Sequence, residues 1–284
     1  MTALQTQVAA ALGQDVAEWT PLSGGDVAAS FRATLTDGRM VFAKTHPNPP
    51  AHFFETEAAG LAWLRRAAAV LVPEVLGVSD DPPYLILEWI ETGRPGRRTE
   101  AELGRSLARL HRVGAPSFGR EDRRSTGSRG LPNEPCASWA EFYAANRLRP
   151  LARLAADAVA LPEQAIRDLE AVATRLGEWA QPEERPARLH GDLWAGNRLV
   201  DVGGVSWLID PAAHGGHREF DLAMMRLFGG FGDACFAAYA EAWPLADGWQ
   251  DRVPLHQLAP LAVHAIKFGG GYVGATQQAL AALR

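Results

Sequence analysis

Asp192, Asn197 and Asp210 are the residues of this chain whose types and spacing could do chemistry. Asp192 lies in LHGDLWAGN (189–197), so an amide follows the acid five positions on. Asp210 comes eighteen residues after Asp192, at the end of the apolar run 205–209 and directly before Pro211. An acid, an amide and a second acid beyond a strand pair form a set that phosphoryl transfer requires. Its transition state is loose, so a protein acts mainly by positioning groups and offsetting charge. Asp192 would orient an acceptor hydroxyl and take its proton. Asn197 and Asp210 offer the hard oxygens that Mg²⁺ prefers. His-Gly-Asp with a nearby Asn can be only a turn. The place of Asp210 at its strand end favours the catalytic reading.

Two further residues fit the same chemistry. Lys44 ends a strand, where a kinase places its phosphate-binding lysine, and Glu57 lies on the following helix as its partner. The 28 basic residues include only two lysines, Lys44 and Lys267. A lysine that survives such an arginine bias marks a place where a compact ammonium is needed. Glu57 shares a helix face with Leu61, Leu64 and Ala68, unusual for an unpartnered carboxylate. Ser23-Gly24-Gly25 would cover the phosphates, although Gly-Gly alone is more often a turn. Glu88, Trp89 and Ile90 would be a hinge whose backbone bonds adenine. His111 reads as a satisfied structural histidine, Asp221 as a helix-capping acid and Lys267 as a surface lysine.

The elements that must hold these residues follow from periodicity. Residues 3–12 read as a short helix. Residues 31–35 and 39–44 flank Thr36-Asp37-Gly38 as a hairpin. A helix over 52–70 follows, then two strands, the second (84–90) nearly continuously apolar, which points to burial. The Gly/Pro-rich stretch 92–98 reads as a boundary. Beyond it helices are expected at 100–112, 138–157, 162–180, 219–228, 231–243 and 255–283, the last in one or two pieces, with an irregular polar loop at 120–134. The expected fold is α+β and bilobal: an N-terminal nucleotide-binding lobe (1–90), a hinge (91–98) and a larger, mostly helical catalytic and acceptor-binding lobe (99–284).

Composition limits the alternatives. The 284 residues are 47% hydrophobic and 21% charged, an ordinary globular balance. A net charge of −5 argues against nucleic acid as the partner. Cys136 and Cys235 are too few for a disulfide scaffold or a cysteine-based zinc site. No apolar run reaches membrane-spanning length, and the N-terminal stretch lacks the pattern of a secretory signal. The expectation is a cytoplasmic protein, monomeric or weakly dimeric, without a membrane or nucleic-acid partner.

HGDLWAGN (190–197) followed by IDPAAHGGHREFDLAMMRLFGGF (209–231) resembles the fructosamine kinase (ketosamine-3-kinase) family, within the aminoglycoside phosphotransferase-like, protein-kinase-like fold. LSGGDV (22–27), VFAK (41–44), LARLH (107–111), SWAEFYAANRL (138–148) and KFGGGY (267–272) extend the similarity to most of the chain. The resemblance implies Asp192 as catalytic base, Asn197 and Asp210 as metal ligands, and Lys44 on the phosphates with Glu57 behind it. It implies ATP and Mg²⁺ as cofactors and phosphorylation of the C3 hydroxyl of a ketosamine, fructosamine or ribulosamine. The 3-phosphate then decomposes, a deglycation repair. Trp194 would stack on the sugar, and His214, Arg218 and Glu219 would line the acceptor side. Two departures stand out. Residues 22–27 carry no cysteine, so redox control of that loop is not implied. His214-Gly215 replaces an aromatic pair, which bears on the preferred acceptor.

Two rival readings remain at this level. One is a kinase for another hydroxylated small molecule, such as an aminoglycoside, choline or a sugar. The other is a catalytically silent nucleotide-binding protein, against which the joint presence of Lys44, Glu57, Asp192, Asn197 and Asp210 speaks.

Overall fold

The computed structural model describes residues 3–23, 28–122, 125–126, 130–178 and 183–283. Helix α1 (Ala3–Leu12) leads into strands β1 (Val16–Leu22), β2 (Ala29–Leu35) and β3 (Met40–Thr45). Helix α2 (Phe53–Arg65) follows, then β4 (Val75–Asp80) and β5 (Pro83–Glu88). The five strands form one antiparallel sheet in the order β1-β2-β3-β5-β4. β5 is apolar along Leu85-Ile86-Leu87 because both of its faces are covered there. Ile86 joins Leu4 and Val8 of α1 in one apolar cluster, while Leu85 and Leu87 join Phe54, Leu61 and Leu64 of α2 in another. Alternate side chains of a strand point to opposite faces, so these two clusters require each other.

The second apolar cluster does not stop at the sheet. It continues into α3 (Thr99–Val113) through Leu103, Leu107 and Leu110, and into Leu193, Leu208, Leu222 and Tyr239. Backbone bonds reinforce this continuity. Leu208 N–H donates to Leu71 O at 2.9 Å, and Gly93 N–H donates to Val200 O at 2.8 Å. A Cβ at Gly93 would lie 2.6 Å from Asp201 O, so the connection there depends on glycine.

The rest is mostly helical. A two-residue pair, β6 (Ser125–Thr126) and β7 (Leu131–Pro132), lies in the stretch read as an irregular loop. The helix expected over 138–157 is built as α4 (Trp139–Tyr143), a π-turn (Ala144–Leu148) and α5 (Arg149–Asp157). Ser138 caps it by accepting from Glu141 N–H at 3.1 Å. α6 (Glu163–Arg175) follows. Short strands β8 (Ala187–Leu189), β9 (Arg198–Val200), β10 (Ser206–Leu208) and β11 (His214–Gly216) pair as β8 with β11 and β9 with β10. Then come α7 (Glu219–Phe228), α8 (Asp233–Ala242), α9 (Trp249–Phe268) and α10 (Gly271–Ala281). Among the described residues no helix is long and apolar enough to cross a membrane.

α9 carries Pro260 in its interior. Proline has no N–H, so His256 O loses its helical donor there. The buried Tyr143 hydroxyl fills the gap. It lies 3.1 Å from His256 O and 2.9 Å from Leu255 O, and accepts from Ala259 N–H at 3.1 Å. The helix thereby runs on to Lys267, and Gly269 and Gly270, both at positive φ, end it before α10.

Candidate active site

The site is assembled from β3, α2 and the two loops that follow β8 and β10. Lys44 is buried at the end of β3. Its Nζ lies 2.7 Å from Glu57 Oε2 and 2.6 Å from Asp210 Oδ1. Burial alone would discharge this lysine, but the two carboxylates more than reverse that and raise its pKa. Burial raises the Glu57 carboxyl to about 8, with Lys44 pulling the other way. Burial alone would raise Asp210, but Lys44 and the bond with Glu57 together more than reverse that and lower it. One ammonium thus faces two acids, and Asp210 keeps its side chain half exposed. Asp210 also sits at φ 51°, a strained conformation for a non-glycine residue, which costs of order 1–3 kcal/mol. The Lys44 ion pair is one of the contacts that hold it there.

Asp192 is reached through the loop after β8. Its neighbour Gly191 has φ 81°, and a Cβ there would lie 2.1 Å from Ala212 O, so only glycine fits. Asp221 fixes this loop. Its carboxylate accepts from His190 N–H at 2.8 Å and from Gly191 N–H at 2.9 Å, and His111 Nε2 lies 3.2 Å away. His190 spans to the next strand. Its Nδ1 accepts from Asp192 N–H at 3.3 Å, so the ring proton is on Nε2, which donates to Ile209 O at 3.0 Å. Burial lowers the His190 pKa, consistent with this neutral tautomer.

Asn197 joins the two acids. Its Nδ2 donates to Asp192 O at 2.9 Å, to Asp192 Oδ2 at 3.0 Å and to Asp210 O at 3.4 Å. With the amide donors engaged in these bonds, Oδ1 is the oxygen that Asn197 can offer a cation. Burial raises the Asp192 pKa to about 7, against the Asn197 bond; the charges of Asp210 and Asp221 add to the rise and that of Lys267 opposes it. A carboxylate near neutrality is suited to accepting a proton during the reaction. The hard oxygens of Asn197 and Asp210, next to more acid than Lys44 balances, fit a divalent cation.

The remaining sequence candidates divide. Ser23 is exposed at the end of β1, while Gly24 and Gly25 lie outside the described residues. In the expected hinge, Glu88 N–H donates to Glu74 O at 2.9 Å and is therefore taken. Trp89 and Ile90 follow at the exit from β5. Trp194 is 38% exposed, with its ring 6.0 Å from that of Phe228. The three residues expected on the acceptor side are all buried. His214 is buried, its ring 5.3 Å from that of Phe142 and its Nδ1 2.8 Å from Ala212 O. Arg218 is buried on Glu184, at 2.8 Å, and on the carbonyls of Trp243 and Pro244. Glu219 is buried and gripped by Arg252 through two bonds, of 2.6 and 2.9 Å. Arg218 and Glu219 are spent on ion pairs inside the helical part, whereas His214 Nε2 is buried there with no hydrogen-bond partner among the described residues.

Two residues were under-read in the sequence. Asp221 does open α7, but it is fully buried and organises the Asp192 loop rather than merely capping a helix. Its spacing after Arg218-Glu219 looked like an ordinary acidic first turn. Lys267 is half-buried rather than a plain surface lysine, and its charge reaches Asp192. Its rarity was the available signal.

Comparison with known proteins settles the lineage. The fructosamine kinase family model matches residues 1–284. The chain belongs to the fructosamine kinase family. A probable ketoamine kinase of Enterococcus faecium is 38% identical over 267 residues, covering 92% of this chain and 93% of that protein. The crystal structure of a candidate fructosamine-3-kinase from Thermobifida fusca superposes with a TM-score of 0.91 at 39% identity, covering 99% of this chain and 98% of that one. An aminoglycoside phosphotransferase superposes at 0.68 with 15% identity, over 99% of each chain, and so shares the fold. This fructosamine kinase family member is thus α+β and kinase-like, as the motifs implied.

Proposed function

We propose that this family member transfers the γ-phosphoryl group of ATP to the C3 hydroxyl of a ketosamine, and that Asp192 accepts the hydroxyl proton. The observation that carries the reading is the continuous chain of contacts from Glu57 through Lys44, Asp210 and Asn197 to Asp192, at distances of 2.6 to 3.4 Å. Lys44 orients the phosphates and Glu57 holds Lys44. Trp89 and Ile90 supply the backbone edge for adenine, with Ser23 on the phosphate side. Asn197 and Asp210 would hold Mg²⁺, which offsets the charge that develops on the phosphates. Asp221 and His190 keep the loop fixed, so that little reorganisation is needed as the reaction proceeds. The new bond joins the C3 oxygen to phosphorus, the bond to the β-phosphate oxygen breaks, and ADP leaves. The acceptor follows from family membership and the deglycation role from the fate of a ketosamine 3-phosphate.

The test is the position of the phosphate in the product. Phosphorus NMR of a reaction with a fructosyl amine should show a new monoester coupled to the C3 proton. A monoester at another carbon would keep the kinase and discard the C3 assignment.

A further inference from the structure

His217, Glu219 and His256 come together inside the helical part and share no residue with the Lys44–Asp192 site. One nitrogen or carboxylate oxygen from each lies within 4.8 Å of the other two, and the residues are 2%, 2% and 1% exposed. Neither His217 Nε2 nor either nitrogen of His256 has a hydrogen-bond partner among the described residues. Unpaired buried polar atoms are costly, and three on two neighbouring rings call for an occupant between them. His256 Nε2 stands 3.4 Å from Glu219 Oε2. That exceeds the usual N–H···O range, yet it matches the edge of about 3.4 Å that two ligands span on a tetrahedral ion at about 2.0–2.2 Å. Arg252 does not use up the carboxylate. It donates one bond to each oxygen, at 2.9 and 2.6 Å, and an ionised carboxylate offers about four lone-pair sites. Held in this way, Glu219 has the fixed orientation that ligating carboxylates need. A cavity of about 410 Å³ reaches His217, and Glu183 and Glu184 are among its lining, so a cation has an acidic approach.

We infer that His217, Glu219 and His256 form a binding site for one zinc-type ion, a first-row divalent cation that takes imidazole nitrogen and carboxylate oxygen. Two imidazoles and a carboxylate suit Zn²⁺, whereas Mg²⁺ and Ca²⁺ prefer shells of oxygen alone. His217 binds through Nε2. Its Nδ1 accepts from Glu219 N–H at 3.3 Å, so the ring proton moves from Nε2 to Nδ1 on binding, at the loss of one long bond. Three protein ligands leave a fourth position to water. His217 and Glu219 stand at the start of α7 and His256 lies in α9, so the ion ties these two helices together. Its effect is on stability.

The test is titration of the chelator-stripped full chain with Zn²⁺ in excess Mg²⁺, read by calorimetry and by melting temperature. The wild-type chain should bind one Zn²⁺ that depends on His256. Its melting temperature should rise by about 3–5 °C at a hundredfold excess over Kd. His256→Phe keeps a ring against Trp139 and Tyr143, whose centres lie 5.9 and 6.3 Å away, and removes the two unpaired nitrogens. It should melt no lower than the stripped wild type and should lose both the binding and the rise. His52→Ala disrupts instead the more exposed group of His52, Glu55 and Asp80, and should leave the binding intact. Co²⁺ in the wild-type chain gives a reading that needs no variant: strong visible absorption marks a four-coordinate site with nitrogen ligands, and a pale six-coordinate spectrum contradicts it. No zinc binding, binding that survives His256→Phe, or binding lost in His52→Ala overturns the inference.

Discussion

Lys44 Nζ and Asp210 Oδ1 stand 2.6 Å apart although 166 residues separate them in the chain. The pair ties the N-terminal sheet to the strand end that carries the proposed metal ligand. Glu57, on the same ammonium, adds α2 to that tie. Lys44→Arg should therefore fail, because a planar guanidinium does not fit between two carboxylates placed for a point charge. Turnover should fall at least about a hundredfold, by analogy with the loss of one preorganised electrostatic contact. Steady-state kinetics of the purified variant checks this, and unchanged kinetics would remove Lys44 from the phosphate site.

Asp192→Asn keeps the shape of the loop and removes the proton acceptor. The expected loss in kcat is about 10²–10⁴-fold, with nucleotide affinity retained. Calorimetric titration with a non-hydrolysable ATP analogue, beside the kinetics, separates the two effects.

Asp221 holds the amides of His190 and Gly191, so Asp221→Ala should loosen the loop without touching substrate. It would also leave buried donors unpaired, at about 1–3 kcal/mol for each. The variant should lose kcat and show a lower melting temperature. Full activity with an unaltered melting temperature would show that the loop needs no such anchor.

Chelation gives a separate check on Asn197 and Asp210. EDTA should abolish turnover while leaving the far-UV circular dichroism unchanged, since Lys44 already bridges Glu57 and Asp210. Mg²⁺ should restore activity, and Asp210→Ala should not respond to it.

Stability should fall in acid. Burial, with Arg147 adding for His214 and His256 for His217, lowers both histidines to about 3. Their unfolded value is about 6.5. Each contributes fully above that pH, and the contribution is lost as pH falls from about 6.5 towards 3, at up to about 1.4 kcal/mol per unit. Arg252 holds Glu219 down to about 2 against its burial, so its contribution also fades below the usual carboxylate range. Scanning calorimetry from pH 7 to pH 4 should show a steadily falling melting temperature; a flat profile contradicts the buried, neutral histidines.

The parts of this account that were legible in the sequence are those with a local signature. The hairpin around Asp37-Gly38, the inward face of Glu57 and the bounds of α7 follow from spacing alone. The π-turn at 144–148 left no trace, because its residues are ordinary helix formers. Arg218 and Glu219 looked available, yet their partners Glu184 and Arg252 lie 34 and 33 residues away in sequence. Only the packing of the helical part reveals that both are spent. The same holds for Asp221, whose two amide partners come from a loop 30 and 31 residues earlier. Local pattern reports what a residue can do; long-range pairing decides which of those roles it takes.

The most direct measurement is ADP release from Mg²⁺–ATP by the full chain, with a fructosyl- or ribulosyl-lysine derivative, with an aminoglycoside and with no acceptor. The account predicts release that depends on the ketosamine and disappears in Asp192→Asn. Release with the aminoglycoside alone, or equal release without any acceptor, would contradict it.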